Sequence, residues 1–333
     1  MNKPADKSIL YPLFYDGRFL LVFTGLVLLF SGLFVIVQSL SGHFLPHDVQ
    51  YLEMDAERLS AYYGGRITAF MFHDRVAFGG SIIAVGMIYM WLAEFPLRNG
   101  QAWAWWILLC SGIIGFGSFL TYLGYGYLDR WHGIATLLLL PFYVLGLLRS
   151  RRLIRGESGI RDLGKKVNKA GFQTATAVGF LLFQFTGIGM LLGGLSIMAI
   201  GITSVFVPQD LEFIGIVGCS PLTVVNKQLI PLIAHDRACF GGGVATIGLI
   251  VFFTARRAEE KKSMWEVLFL SINTGFAAAL GVHFYIGYTD ALHIAPAFAG
   301  WCIALLGLAL TFKDCMSSVK ESARPRKALV YEV

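Results

Sequence analysis

Eight apolar blocks dominate the chain, at about residues 19–41, 74–94, 102–124, 131–149, 172–206, 236–255, 264–286 and 291–312. Each suffices to cross a bilayer's hydrocarbon core, which takes roughly 20 helical residues. Charge is nearly absent inside them, and glycine is frequent, as expected where helices pack closely in lipid. The fold class is therefore all-α: a polytopic membrane protein of eight transmembrane helices, with the lipid bilayer as its first partner. The first block reads as a span and not as a removable signal, because it is long, lacks a small-residue cleavage site and has a counterpart within the chain.

Lys and Arg set the orientation. With a cytoplasmic N-terminus, 21 of the 27 fall in cytoplasmic segments, 8 of them between Arg149 and Lys169. The positive-inside rule then places both termini in the cytoplasm and accounts for the net charge of +6 without nucleic acid. Five cysteines form no CxxC pair, and only Cys219 clearly falls in an outer loop, so neither a disulfide framework nor a zinc–thiolate site is expected. Compact loops and the lack of a transit peptide favour a bacterial inner (plasma) membrane.

An internal duplication narrows the architecture. A shift of 162 residues aligns Phe23-Thr24-Gly25 with Phe185-Thr186-Gly187, Gly32 with Gly194, and Pro46 and Asp48 with Pro208 and Asp210. The same shift lays His73-Asp74-Arg75 on His235-Asp236-Arg237 and Phe78-Gly79-Gly80 on Phe240-Gly241-Gly242. After a one-residue slip, Tyr127, Asp129 and His132 meet Tyr288, Asp290 and His293. Four spans per half make the repeats parallel, related by an axis along the membrane normal. The expected organisation is a first four-helix half (1–150), a basic cytoplasmic linker (151–171), a second four-helix half (172–315) and a cytoplasmic tail (316–333).

His-Asp-Arg opens the second span of each half and Asp-x-x-His the fourth, which puts four histidines near the outer face. Facing helices of a bundle converge on its core, where cofactors are usually held. Below His73 come Ala77, Gly80 and Ala84, and below His235 come Cys239, Gly242 and Thr246, a small-residue spacing that leaves a flat slot. One expectation is a haem b in each half, ligated by His73 with His132 and by His235 with His293. Asp129 and Asp290 would then accept a ring N–H, and Arg75 and Arg237 would neutralise propionates. The role that follows is redox or electron transfer near the outer face, with a quinone or redox partner protein. A second expectation is a zinc or iron enzyme whose ligands are these histidines with Asp74, Asp129, Asp236 and Asp290. A third is a transporter or proton-coupled channel. The same motifs also suit a purely structural ion-pair and capping cluster.

With eight spans in two parallel halves and histidines at the second and fourth span of each, the chain resembles the haem A synthase family. That resemblance implies haem on His73, His132, His235 and His293. The chain departs from the family in the Asp between His73 and Arg75 and in lacking paired outer-loop cysteines. Remaining candidates have simpler expectations. His283 matches Tyr122 and reads as a local feature, and His43 and His47 read as solvated loop residues. Trp103, Trp105 and Trp106 read as an aromatic belt, and Asp48 and Asp210 as caps of short surface helices.

Overall fold

A computed structural model describes residues 15–127, 130–154, 163, 174–203, 205–257 and 261–322. Among the described residues there is no strand, and eight helical spans are long and apolar enough to cross a membrane. They are α1 (Arg18–Leu40), α2 (Tyr63–Leu97), α3 (Ala102–Tyr125), α4 (His132–Leu153), α5 (Ala175–Thr203), α6 (Leu229–Arg257), α7 (Lys262–Ile286) and α8 (Ala291–Ser317). Most of the 151–171 linker and residues 323–333 of the tail lie outside the described residues.

Burial sorts the spans into two classes. α2 and α6 are largely enclosed by protein, whereas α1, α4, α5 and α8 turn most of their surface outward. The exposed residues on those four are large and apolar (Phe30, Leu137, Leu192 and Leu306 among them), which suits contact with lipid tails. α2 and α6 lie against each other at the centre.

The two halves are interleaved. α2 packs on α1 of its own half and on α7 of the other; α6 packs on α5 and on α3 of the other half. Within its own half α2 also meets α3 and α4, through Tyr89 with Ser111 and Tyr143. Small residues explain the crossings. A Cβ on Gly80 would overlap the Ala278 methyl of α7, and one on Gly242 would overlap the Ser118 side chain of α3.

Duplicated glycines make the contacts within each half. Gly25 and Gly32 of α1 meet Gly86 and Gly79 of α2, and Gly187 and Gly194 of α5 meet Gly248 and Gly241 of α6. A Cβ on Gly194 would sit 2.6 Å from the Gly241 carbonyl oxygen, between two backbones that cannot yield. Gly194→Val is expected to destabilise the protein by about 1–3 kcal/mol through overpacking. Gly189→Val, at a position with open space around it, should change little. Thermal-unfolding midpoints in one detergent would separate the two.

Two apolar cores stack along the molecule. One fills the membrane-spanning interior around Tyr89, Leu108, Ile250 and Leu268. The other caps one end, where the segments after α1 and α5 fold over the starts of α2 and α6 through Phe44, Leu59, Phe70, Phe206, Ile214 and Leu232. Between these cores lie the motif histidines. Helix α2 has regular α geometry from Arg66 and α6 begins at Leu229, so His73 and His235 sit about two turns inside their helices instead of opening them.

Candidate metal centre

The capped end is organised by two arginines. Arg75 donates to both oxygens of Asp48 and, through Nε at 2.7 Å, to Asp236 of the other half. Arg237 donates to Asp210 and, through Nε at 3.3 Å, to Asp74 of the first half. Each His-Asp-Arg motif therefore exchanges an ion pair with its counterpart, one Arg to the other's Asp. Both arginines, expected to neutralise propionates, are engaged with carboxylates of the chain itself.

Asp48 and Asp210 start the short helices Pro46–Leu52 and Pro208–Ile214, where each accepts a backbone N–H, from Leu45 at 3.1 Å and from Val207 at 2.8 Å. The expected capping role holds, but these aspartates are fully buried and not surface residues. Tyr127 donates to Asp48, and Tyr288 donates to Asp210 at 2.9 Å.

Burial alone would raise the Asp48 carboxyl, but the Arg75 charge and hydrogen bonds, with His47 and Tyr127, outweigh it and hold its pKa below the ordinary value. A carboxylate lowered in the folded state gives stability that is complete above its unfolded pKa, near 4, and is lost as pH falls through the folded value. Asp48→Asn should therefore flatten the acid limb of a plot of unfolding midpoint against pH, below about pH 5. An unchanged acid limb would remove Asp48 from the list of groups that set acid stability. Burial and the Asp48 charge push the Tyr127 phenol up, and burial and the Asp210 charge do the same for Tyr288. Both phenols therefore stay protonated and donate.

The histidines do not pair as expected. His132 meets His235 across the halves, Nε2 to Nε2 at 3.2 Å. His73 meets His283, Nε2 to Nε2 at 3.0 Å, again across the halves. His293 joins the second group: one ring nitrogen from each of His73, His283 and His293 lies within 4.8 Å of the others. The described ring contacts thus run across the halves, and not within His73/His132 and His235/His293. His283, read from the sequence as a local feature, belongs to the site. His47, read as solvated, is half-buried with its ring 5.7 Å from that of His132.

Proton placement follows from the partners of these rings. A carbonyl oxygen only accepts, so Nδ1 of His283, 2.6 Å from the Ala279 carbonyl, carries a proton. Asp74, ion-paired with Arg237, accepts from Nδ1 of His73 at 3.1 Å. Tyr288 gives its only proton to Asp210, so its oxygen accepts from Nδ1 of His293 at 3.3 Å. With Nδ1–H placed so, Nε2 is the unprotonated nitrogen of each ring, and Nε2 of His73 also lies 3.3 Å from Nδ1 of His283. Two unprotonated nitrogens 3.0 Å apart call for a proton or a metal ion between them.

That donor set fits a transition-metal ion. Neutral imidazole nitrogens suit zinc and iron, and a carboxylate, a carbonyl and a phenol behind them are the partners that fix ligand orientation. Zn–N bonds of roughly 2.0–2.1 Å place neighbouring nitrogens of a tetrahedral site about 3.3 Å apart, close to the spacing of His73 and His283. Charge agrees as well. Two arginines face four carboxylates in this buried region, so it is short of positive charge.

A haem fits less well. The small residues below His73 and His235 are filled by α7 and α3: Ala278 closes the Gly80 gap, Ser118 closes the Gly242 gap, and Thr246 donates to the Ser111 carbonyl at 3.4 Å. Among the described residues, those two gaps are occupied by neighbouring helices. Of the aspartates named from sequence, Asp74 backs a ligand and Asp236 pairs with Arg75. Asp290 caps α8 by accepting the His293 backbone N–H at 2.8 Å, and Asp129 lies outside the described residues. No protein-family model, no curated protein and no solved structure matches this chain.

Proposed function

We propose that this chain is an integral membrane metalloenzyme holding one zinc or iron ion on His73, His283 and His293, near the outer face of a bacterial inner membrane. The observation that carries it is the convergence of three imidazoles whose Nδ1 protons are all committed elsewhere. Three protein ligands leave a coordination position for substrate, the pattern of catalytic rather than structural sites. Both termini lie in the cytoplasm in this reading, consistent with the placing of Lys and Arg.

A bound ion would supply Lewis acidity, or one-electron chemistry if it is iron. The chain's own residues do the rest. Asp74, the Ala279 carbonyl and Tyr288 hold each ring in the tautomer that presents Nε2. Phe70 stacks on His73 at 6.0 Å and packs tilted against Phe206 at 5.7 Å, an apolar cover beside the cluster. The haem reading implied by the haem A synthase resemblance rests on the same histidines, and the filled gaps beside Gly80 and Gly242 favour the metal ion.

The test is metal analysis with absorption spectra, oxidised and dithionite-reduced, of protein purified in mild detergent. About one zinc or iron per chain and no Soret band is the expected result. A Soret band with sharp reduced bands would replace this reading with the haem one, and a metal-free protein that takes up neither ion would end both. Tyr288→Phe removes the acceptor for Nδ1 of His293, and metal affinity should fall about 10–100-fold. His43→Ala, at an exposed loop residue, should leave the affinity unchanged.

A further inference from the structure

The second histidine pair is not a copy of the first. His132 and His235 bring their Nε2 atoms within 3.2 Å across the halves, a distance at which two imidazole nitrogens share a proton or a metal ion. In the cluster proposed above, α7 supplies a third nitrogen through His283. In the matching place of α3 stands Tyr122, whose hydroxyl pairs with Thr136 Oγ1 at 2.8 Å and offers no nitrogen. A sulfur takes up the difference. Cys239 follows His235 by four residues on α6, hence on the same helix face, where the first half carries Ala77. Its Sγ lies 3.7 Å from Nε2 of His235. One copy of the repeat thus combines histidine on the neighbouring helix with alanine below the motif, and the other combines tyrosine with cysteine.

Spacing and surroundings suit an ion. Metal–nitrogen bonds of about 2.0 Å and metal–sulfur bonds of about 2.3 Å, at angles between tetrahedral and trigonal, put neighbouring nitrogens roughly 3.3–3.5 Å apart and nitrogen and sulfur roughly 3.5–3.7 Å apart. His235 and Cys239 are only 4% and 3% exposed. Phe119 stacks on the His132 ring at 5.4 Å, and Tyr127 meets it edge-on at 4.8 Å, so aromatic rings line this place. Two imidazoles with one thiolate in a trigonal set are the donors that copper takes, and a soft sulfur favours its monovalent state. We infer that His132, His235 and Cys239 bind one copper(I) ion. The thiol, which directs its proton toward the Ser118 carbonyl at 3.8 Å, releases that proton to solvent as the copper–sulfur bond forms. This site shares no ligand with His73, His283 and His293 and stands whether or not they hold zinc or iron.

The test uses the full chain in detergent, titrated without oxygen with the acetonitrile complex of copper(I) in competition with bicinchoninate. Copper, zinc and iron are counted separately in each sample. One copper per chain should resist the chelator, and X-ray absorption at the copper edge should show one sulfur neighbour beside nitrogen. Cys239→Ala should weaken copper binding by more than about a hundredfold and remove the sulfur neighbour, while zinc or iron content stays as in the parent protein. The fold should tolerate this change, since alanine is what the first half carries at the matching position. Cys302→Ala, at an exposed cysteine on α8, should bind copper as the parent does. A parent protein that holds no copper against the chelator, or a Cys239→Ala variant that holds it as tightly, overturns the inference. Copper lost in His283→Ala and kept in Cys239→Ala places the ion in the other cluster and overturns it as well. Zinc that displaces copper from His132, His235 and Cys239 overturns copper as the ion.

Discussion

His283→Ala should strip the protein of its metal. Metal per chain is expected to fall from near one to below a tenth after dialysis, an affinity loss exceeding the roughly hundredfold typical of removing an orienting partner. The reason is local: this change deletes one of three nitrogens and leaves His73 and His293 to hold the ion alone. The fold should survive, because His283 lies near the end of α7 and its main internal bond is to its own helix, at Ala279. The informative control is His132→Ala, which alters the other histidine pair and should leave the metal in place. Full metal content in His283→Ala would mean that the ion, if present, sits elsewhere, and the three-histidine assignment would fall.

Arg237→Met should be the most damaging single substitution for stability. Arg237 is 5% exposed and faces Asp74 and Asp210 together, while its Nη1 also donates to the Val205 carbonyl at 2.8 Å. Removing one partner of a buried ion pair leaves uncompensated charge and costs about 3–5 kcal/mol. Lysine should not rescue it. A single ammonium cannot span two carboxylates and a carbonyl, and the guanidinium also lies 4.7 Å over the Phe70 ring. Reversible unfolding in mixed micelles would measure the loss. A double-mutant cycle with Asp74→Asn should return a coupling of at least about 1 kcal/mol, and additivity would show that the pair is not felt. The metal should weaken too, since Asp74 freed from Arg237 no longer holds His73 in one tautomer.

The spans were readable because a membrane helix leaves an unmistakable trace: a long block without charge. Their ends were less so. Arg66 to Phe72 is apolar enough to continue α2 outward, yet an Arg and a charged motif on either side of it made His73 look like a helix start. The partners of the histidines were hidden for a geometric reason. Parallel repeats about an axis allow His73 to meet either copy of the later spans, and no pattern along one chain distinguishes the copies. His283 was hidden by the comparison itself, which favoured residues retained in both halves. Its counterpart Tyr122 lies in the matching place, 6.1 Å from the His235 ring, and donates or accepts at Thr136 Oγ1 instead of supplying a nitrogen. Depth could have flagged it, because His283 ends a span at the level where His293 begins the next. The small residues below the histidines were correctly seen as making room, but the room is taken by neighbouring helices.

Interleaving has a consequence for how such a chain arises. The histidine of each second span meets its imidazole partner in the other half: His73 with His283, and His235 with His132. On the metal reading proposed above, a chain of one half's length would complete such a cluster only as a two-fold dimer, each subunit finishing its neighbour's site. Two identical subunits cannot specialise separately. Joining them end to end lifts that restriction, and one position is enough to show the result: histidine on one side of the axis, tyrosine on the other.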